Sequence, residues 1–210
     1  MKRAKVISIE GTDGVGKTHS YNYIISELEK AGKKVLATRE VGSPLIPICV
    51  KLRELVLDPE SKISGTAMEL IFGAMRVINQ DYYKTVESEY DFIVSDRNSL
   101  SHLAYTDHNV SEKFTQDFYL NFLDKITTRE DLVLYLHVSP EIALKRRTKR
   151  GTTDVIEMKG PEFQEKVGKS FEKYMNLLDI PVVKMDTSGT KEQVKLQLNH
   201  FIDGLLEMKK

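Results

Sequence analysis

Gly11-Thr12-Asp13-Gly14-Val15-Gly16-Lys17-Thr18 fits the spacing G-x-x-x-x-G-K-[ST], and no other stretch constrains the chain as tightly. Each fixed position has a physical reason. Glycines remove Cβ atoms, so the backbone can curl and aim successive N–H groups at phosphate oxygens. Lys17 can reach the β- and γ-phosphates of a nucleotide, and the Thr18 hydroxyl can ligate Mg²⁺. The flanks agree. Ala4 to Glu10 is β-branched and reads as a strand. Tyr21, Ile24, Ile25 and Leu28 then keep helical spacing up to Gly32, a helix stop. A strand, a glycine loop and a helix aimed at the loop form a phosphate cradle. A bare Gly-rich turn is the competing reading, but it has no need of the Gly-Lys-Thr ending.

The rest of the composition sets bounds. A chain of 210 residues, 40 % hydrophobic and 30 % charged, suits one soluble domain with a sizeable core. Basic and acidic residues number 31 each, so neither a nucleic-acid nor an acidic-membrane footprint is expected. Cys49 is the single cysteine, which excludes an intrachain disulfide and fits a reducing compartment, expected to be the cytoplasm. It sits among apolar residues and reads as core filler. No run approaches the ~20 apolar residues of a membrane helix, and no signal peptide is apparent.

Strands alternate with helices along the chain. Lys34–Glu40, Asp91–Arg97, Asp131–Val138 and Pro181–Asp186 read as further strands. Helices are expected from Ile48 to Val56, from Ser64-Gly65-Thr66 onward with Thr66 and Glu69 as a capping box, and around Leu100–Tyr105 and Phe114–Leu123. Others start at Ser139-Pro140-Glu141 and cover Phe163–Leu178 and Lys191–Met208. This alternation predicts an α/β fold with a doubly wound, five-stranded parallel sheet flanked by helices.

Several side chains suggest chemistry. Asp96 and Arg97 end an apolar strand, where ligands sit in open parallel sheets. Asp96 could hold Mg²⁺ directly or through water, and Arg97 could grip a second phosphate. A helix-capping Asp with an ion pair is the alternative. Phe72 and Arg76 are four apart on one helix face. From spacing alone they read as a core aromatic beside a snorkelling arginine. His102 and His108 read by default as surface residues, and no histidine metal site is expected. Lys145–Arg150 holds five basic residues in six. Beside a phosphate loop, this run reads as a basic lid over the nucleotide, about 146–160, hinged near Gly151 and Gly160.

The ordered series of motifs resembles the thymidylate kinases, a family of P-loop nucleoside monophosphate kinases, over nearly the whole chain. The markers are the phosphate loop with Asp13, Thr38-Arg39-Glu40-Val41-Gly42, Leu52–Asp58, Glu69–Arg76, Asp96-Arg97 followed by Ala104-Tyr105, and Leu134-Tyr135-Leu136 leading to Leu144-Lys145-Arg146. The resemblance implies one kinase domain over 1–210 that uses ATP and Mg²⁺ to phosphorylate dTMP, and a homodimer. It implies that the loop from Gly11 to Thr18 binds ATP and that Phe72 stacks on the base, with Arg76 at its 4-oxo edge. It places Arg97, Arg39 and Glu40 around the monophosphate, Asp13 at the sugar hydroxyl or the reacting phosphates, Tyr105 against the sugar, and Thr18 and Asp96 at Mg²⁺. Arg146 would approach the adenine, with Asp186-Thr187-Ser188 on its other side.

The chain also departs from the pattern. Gly14 stands where some relatives carry an arginine, so the resemblance assigns the transition-state arginine to the lid, at Arg150 with Arg146 or Arg147. Asn98 replaces an aromatic or His that helps exclude a ribose, and His102 replaces a smaller polar residue at the base edge. Val41 replaces a usual Pro, and Val155 stands where such lids often have Arg. The two middle departures leave open a modified thymidylate such as 5-hydroxymethyl-dUMP, or a broader set of deoxynucleoside monophosphates. A P-loop module that binds nucleotide without catalysis is the remaining alternative.

Overall fold

A computed structural model describes residues 3–127, 130–150 and 160–208. Five strands, β1 (Lys5–Glu10), β2 (Val35–Arg39), β3 (Phe92–Asp96), β4 (Leu132–His137) and β5 (Val182–Asp186), form one sheet in the order β2-β3-β1-β4-β5. Every pairing is parallel. The three inner strands are buried almost end to end, as strands covered on both faces must be.

Side chains divide by face. Ile7, Ile9, Leu134 and Leu136 point to one side. There they meet α1 (Lys17–Lys30) and α9 (Lys191–Glu207) through Ile24, Leu28, Leu198 and Ile202. Val133 and Tyr135 point the other way, toward α4 (Ser99–Thr106) and α8 (Gly160–Leu177). Val6 and Ile93 on that side pack near Tyr83 of the long helix α3 (Gly65–Val86). α2 (Pro47–Leu57) lies against α3 through Cys49, Val56, Phe72 and Met75. Cys49 is fully buried, as its apolar setting implies.

Two expectations fail locally. Ser64, not Thr66, caps α3: its Oγ accepts the Ala67 N–H at 3.3 Å. The helix therefore starts two residues earlier than a Thr66 cap requires, and Glu69 is turned inward instead of back to the cap. His102 is also no surface residue. It is buried under Tyr119, whose ring lies 5.0 Å from the imidazole, because α4 is enclosed on nearly every side. His108 is half-buried against Phe163, with Nε2 3.2 Å from Ser170 Oγ. The region after α4 is helical as expected. It is a short α5 (Glu112–Phe114), a π-helix (Thr115–Leu123) and a final turn, α6 (Asp124–Ile126). α7 (Pro140–Arg150) carries the basic run. Residues 151–159 of the expected lid, with Gly151 and Val155, lie outside the described residues, as does the Arg150 side chain.

Candidate active site

The β1–β3 register brings the two main motifs together. Ile9 stands beside Asp96, and the Arg97 N–H donates to the Ile9 carbonyl at 3.0 Å. The phosphate loop leaves β1 just beyond that point, and β3 ends in Asp96-Arg97 at the same sheet edge. The sheet's order reverses around β1, so a crevice opens there, where open α/β sheets bind ligands.

A cavity of about 600 Å³ fills that crevice. Its walls include Asp13, Gly14, Gly16, Lys17 and Thr18 from the loop, and Arg39 and Glu40 after β2. Phe72 and Glu69 come from α3, Asp96 from the end of β3, Arg97 and Asn98 from the turn before α4, Ser101, His102 and Tyr105 from α4, and Arg146 and Arg147 from α7. Gly16 caps α1 with φ 96°, so the positive end of that helix opens toward the cavity. Gly11 and Val15 are buried behind the loop, with Thr12 half-exposed beside them.

Asp13 is the node of the site. Arg97 Nη2 donates to its Oδ1 at 2.5 Å, and the Tyr105 hydroxyl donates to Oδ2 at 3.3 Å. Lys17 Nζ lies 3.4 Å from Oδ1 and donates to the carbonyls of Gly11 (3.0 Å) and Thr12 (2.8 Å). Burial would raise the Asp13 carboxyl. Arg97 and Lys17 outweigh it and hold the group below the usual carboxylate range. Burial, then the Arg97 charge, push the Lys17 ammonium down to about 8 despite Asp13. Arg97 also donates to the Gly11 carbonyl (3.0 Å) and Ser101 Oγ (2.9 Å), and its guanidinium lies over the Tyr105 ring. Its backbone sits at φ 70°, strained for a residue with a Cβ.

Two residues on α7 and α8 also hold Asp13. Gln164 of α8 accepts the Asp13 N–H on Oε1 at 3.3 Å and donates from Nε2 to Oδ2 at 3.3 Å. Arg147 of α7 donates to the Asp13 carbonyl at 2.8 Å. Arg146 donates to the Thr187 carbonyl at 2.7 Å, while the Thr187 hydroxyl donates to Val15 O at 2.6 Å. The expected adenine-side partners, Arg146 and the 186–188 loop, are thus in contact.

At the other end, Phe72 borders the cavity and Arg76 lies beneath it, 1 % exposed and not on the wall. Arg76 donates to Glu40 Oε2 at 2.6 Å, to Thr127 Oγ1 at 3.4 Å, and to Asn98 Oδ1. That last bond fixes the Asn98 amide with its oxygen toward Arg76. Glu10 lies behind, accepting the Asn98 N–H at 2.7 Å and the Ser101 hydroxyl. Burial pushes the Glu10 carboxyl up to about 7, and burial raises Glu40 despite Arg76. Burial, then the Arg76 charge, push His102 down to about 3, so its imidazole is neutral.

The wall contains an unusual set of unsatisfied atoms. Arg39 Nε, Glu40 Oε1, Asp96 Oδ1, Asn98 Nδ2 and His102 Nε2 are buried, lack a hydrogen-bond partner among the described residues, and belong to residues lining this one cavity. Buried polar atoms are almost always paired, so such a cluster fits a polar ligand. Sequence reasoning missed Ser101, Glu10, Glu69, Arg53 and Gln164 as members of the site. Ser101 is four residues after Arg97 and Glu69 three before Phe72, so helical spacing could have found both. Nothing local marks Gln164.

Comparison with known proteins agrees with this geometry. The family model described as thymidylate kinase matches residues 9–198. A thymidylate kinase of Hahella chejuensis is 36 % identical over 168 residues, covering 78 % of each chain. A thymidylate kinase of Caldicellulosiruptor saccharolyticus is 30 % identical and covers 98 % of each. The phosphate loop and Asp96-Arg97 both lie within the residues the family model matches, and the chain belongs to the thymidylate kinase family.

Proposed function

We propose that this enzyme transfers the γ-phosphoryl group of ATP to dTMP, giving dTDP and ADP. The observation that carries the reading is one continuous cavity whose walls run from the phosphate loop to Phe72, with five unsatisfied buried polar atoms on residues along the way. ATP phosphates occupy the loop end, under Lys17 and the N–H groups from Gly11 to Thr18. The dTMP base lies on Phe72. Arg97 and Arg39 hold its phosphate with Glu40 in support, and Tyr105 backs the sugar. Arg76 acts at the 4-oxo edge from below, by fixing Glu40 and the Asn98 amide.

The chemistry asks little of a base. A phosphate oxygen of dTMP attacks the γ-phosphorus, the bond to the β-phosphate oxygen breaks, and ADP leaves with that electron pair. The attacking oxygen is already anionic, so catalysis consists of alignment and neutralisation of the transferring group. Lys17, Arg97 and the α7 arginines supply fixed positive charge. Asp13 orients both Lys17 and Arg97 through Oδ1.

A magnesium ion fits the residues present. Asp96 Oδ1 is buried and unsatisfied, and Thr18 offers a hydroxyl on the same cavity wall. Few protein oxygens, with phosphates and water completing the shell, is the usual Mg²⁺ arrangement. Bound there, the ion would neutralise β- and γ-phosphate charge. For assembly, we propose a homodimer. Ile48, Leu55 and Leu70 on α2 and α3, and Phe122 and Ile126 further on, are exposed apolar side chains that a second copy would cover.

A coupled ADP-release assay with ATP, Mg²⁺ and a panel of nucleoside monophosphates tests the reading. Turnover fastest with dTMP is expected. Binding of ATP without turnover of any monophosphate would overturn it in favour of a non-catalytic module.

A further inference from the structure

Glu10 ends β1, one residue before the phosphate loop, and is fully buried. It stands beside Tyr135 in the sheet, on the face that α4 covers. A carboxyl is costly to bury there unless donors meet it. Both donors come from the start of α4 and the turn before it. Oε1 accepts the Asn98 N–H at 2.7 Å, and Oε2 accepts the Ser101 hydroxyl.

Those two partners flank Arg97. The Arg97 N–H goes to the Ile9 carbonyl at 3.0 Å and the next N–H goes to Glu10, so the end of β1 pins the left-handed turn. The side chain is caught as well. Ser101 Oγ accepts from Arg97 Nη1 at 2.9 Å. The hydroxyl hydrogen points at Glu10, which leaves a lone pair facing the guanidinium. Without Glu10 the hydroxyl is free to rotate away. Glu10, Ser101, Arg97 and Asp13 thus form an unbroken line of polar contacts. Ser101 borders the cavity, and Glu10 lies behind it.

We propose that Ser101, backed by Glu10, is a positioning residue that fixes the Arg97 guanidinium for the phosphate of the nucleoside monophosphate. The inference rests on the reading of this cavity as the dTMP site. A free arginine side chain has many rotamers, and holding one in advance lowers the ordering cost of binding. Ser101 and Glu10 act on the phosphate only through Arg97. Their loss therefore weakens a ligand that carries the phosphate and spares one that lacks it.

Calorimetric titrations compare dTMP with thymidine, which has the same base and sugar and no phosphate. The proteins are wild type, Ser101→Ala, Arg97→Ala and the double variant. Ser101→Ala is expected to raise Kd for dTMP about tenfold and to leave Kd for thymidine within about twofold. In the Arg97→Ala background the same change is expected to alter dTMP affinity by less than about twofold, because no guanidinium remains to be placed. Glu10→Leu removes both acceptors and is expected to match Ser101→Ala. Glu10→Gln keeps an acceptor for the Asn98 N–H and a polar end at Ser101, and is expected to recover most of the dTMP affinity. Equal losses for dTMP and thymidine, or an undiminished loss in the Arg97→Ala background, overturn the assignment and leave Ser101 as packing. If Glu10→Leu does not fold, the Ser101 variants decide alone. Wild-type protein that neither binds nor turns over dTMP would sink the proposed function itself, a result distinct from a Ser101→Ala variant indifferent to the phosphate.

Discussion

Asp13 and Gln164 are 151 positions apart and meet twice, each side chain bonding the other residue: Gln164 Oε1 takes the Asp13 N–H and Gln164 Nε2 reaches Asp13 Oδ2, both at 3.3 Å. The contact ties the first turn of α8 to the phosphate loop. Asp13 in turn holds Lys17 and Arg97, so Gln164 stands one step behind the charges that grip phosphate. Gln164→Leu removes both bonds and is expected to lower kcat by about tenfold while leaving dTMP affinity nearly unchanged. Gln164→Glu sets a second carboxyl against Asp13 and is expected to raise KM for ATP as well. Steady-state kinetics in both substrates separate the two. Wild-type constants in Gln164→Leu would reduce the contact to packing.

Lys17 gives a pH signature. Its ammonium is pushed down to about 8 in the free site, and only the charged form attracts phosphate. The sign is direct: below pH 8 Lys17 is protonated and ATP is captured well, and above it the proton is lost. Hence kcat/KM for ATP, which reports the free enzyme, is expected to bend downward near pH 8. Lys17→Arg stays charged throughout and is expected to be slower but to lack that bend. A profile for wild type that stays flat to pH 10 would refute the assignment.

Glu10 predicts stability rather than rate. Its folded carboxyl titrates at about 7, above its ordinary 4.5, because it is buried. Between those values the native state binds more protons than the unfolded chain, so stability falls as pH rises from about 4.5 to 7. Glu10→Gln can still accept the Asn98 N–H and removes the ionisation. Thermal melts should therefore show the variant gaining on wild type as pH increases and leading above pH 7. Equal slopes for the two proteins would remove Glu10 as the cause.

Much of this site was legible in the sequence because its parts are local. The phosphate loop is eight consecutive residues, and Asp96-Arg97 ends a strand whose register with β1 follows from the parallel sheet. Phe72 and Arg76 were legible as a pair on one face, yet spacing could not tell a ligand wall from core. Only the resemblance moved them into the site, and the structure then put Arg76 under the wall with Glu40 and Asn98. His102 was misread as a surface residue because its burial depends on Tyr119, from a separate helical segment. Gln164 was invisible because no local pattern marks a contact with a loop near the other end of the chain.

Arg97 combines function with backbone strain, and the two can be separated. Its φ of 70° suits glycine, while its side chain makes four contacts across the site. Arg97→Gly and Arg97→Ala both remove the guanidinium and are expected to lose most activity. Only glycine relaxes the left-handed backbone, so Arg97→Gly should be the more stable of the two by about 1 kcal/mol. Chemical denaturation measures the gap, and Arg97→Ala matching or exceeding Arg97→Gly would show that the strain costs nothing.

The source of transition-state charge follows from Gly14. Its φ is 92°, and a Cβ there would lie 2.4 Å from the Ala143 carbonyl of α7. An arginine inside the phosphate loop is therefore sterically excluded unless α7 moves. The same helix that blocks it carries the replacements. Arg146 is committed to the Thr187 carbonyl and Arg147 to the Asp13 carbonyl, which suits them to shaping the adenine side and the loop. Arg150, the remaining arginine of α7, is the candidate to meet the γ-phosphoryl group. Arg150→Ala is expected to lower kcat by roughly 10²–10³ with KM for dTMP changed less than about threefold, within the range such arginines contribute. Arg147→Ala should instead act mainly on KM for ATP by freeing Asp13. Near-normal turnover in Arg150→Ala together with a collapse of kcat in Arg147→Ala would transfer the catalytic role to Arg147 and leave Arg150 as part of a solvated basic face.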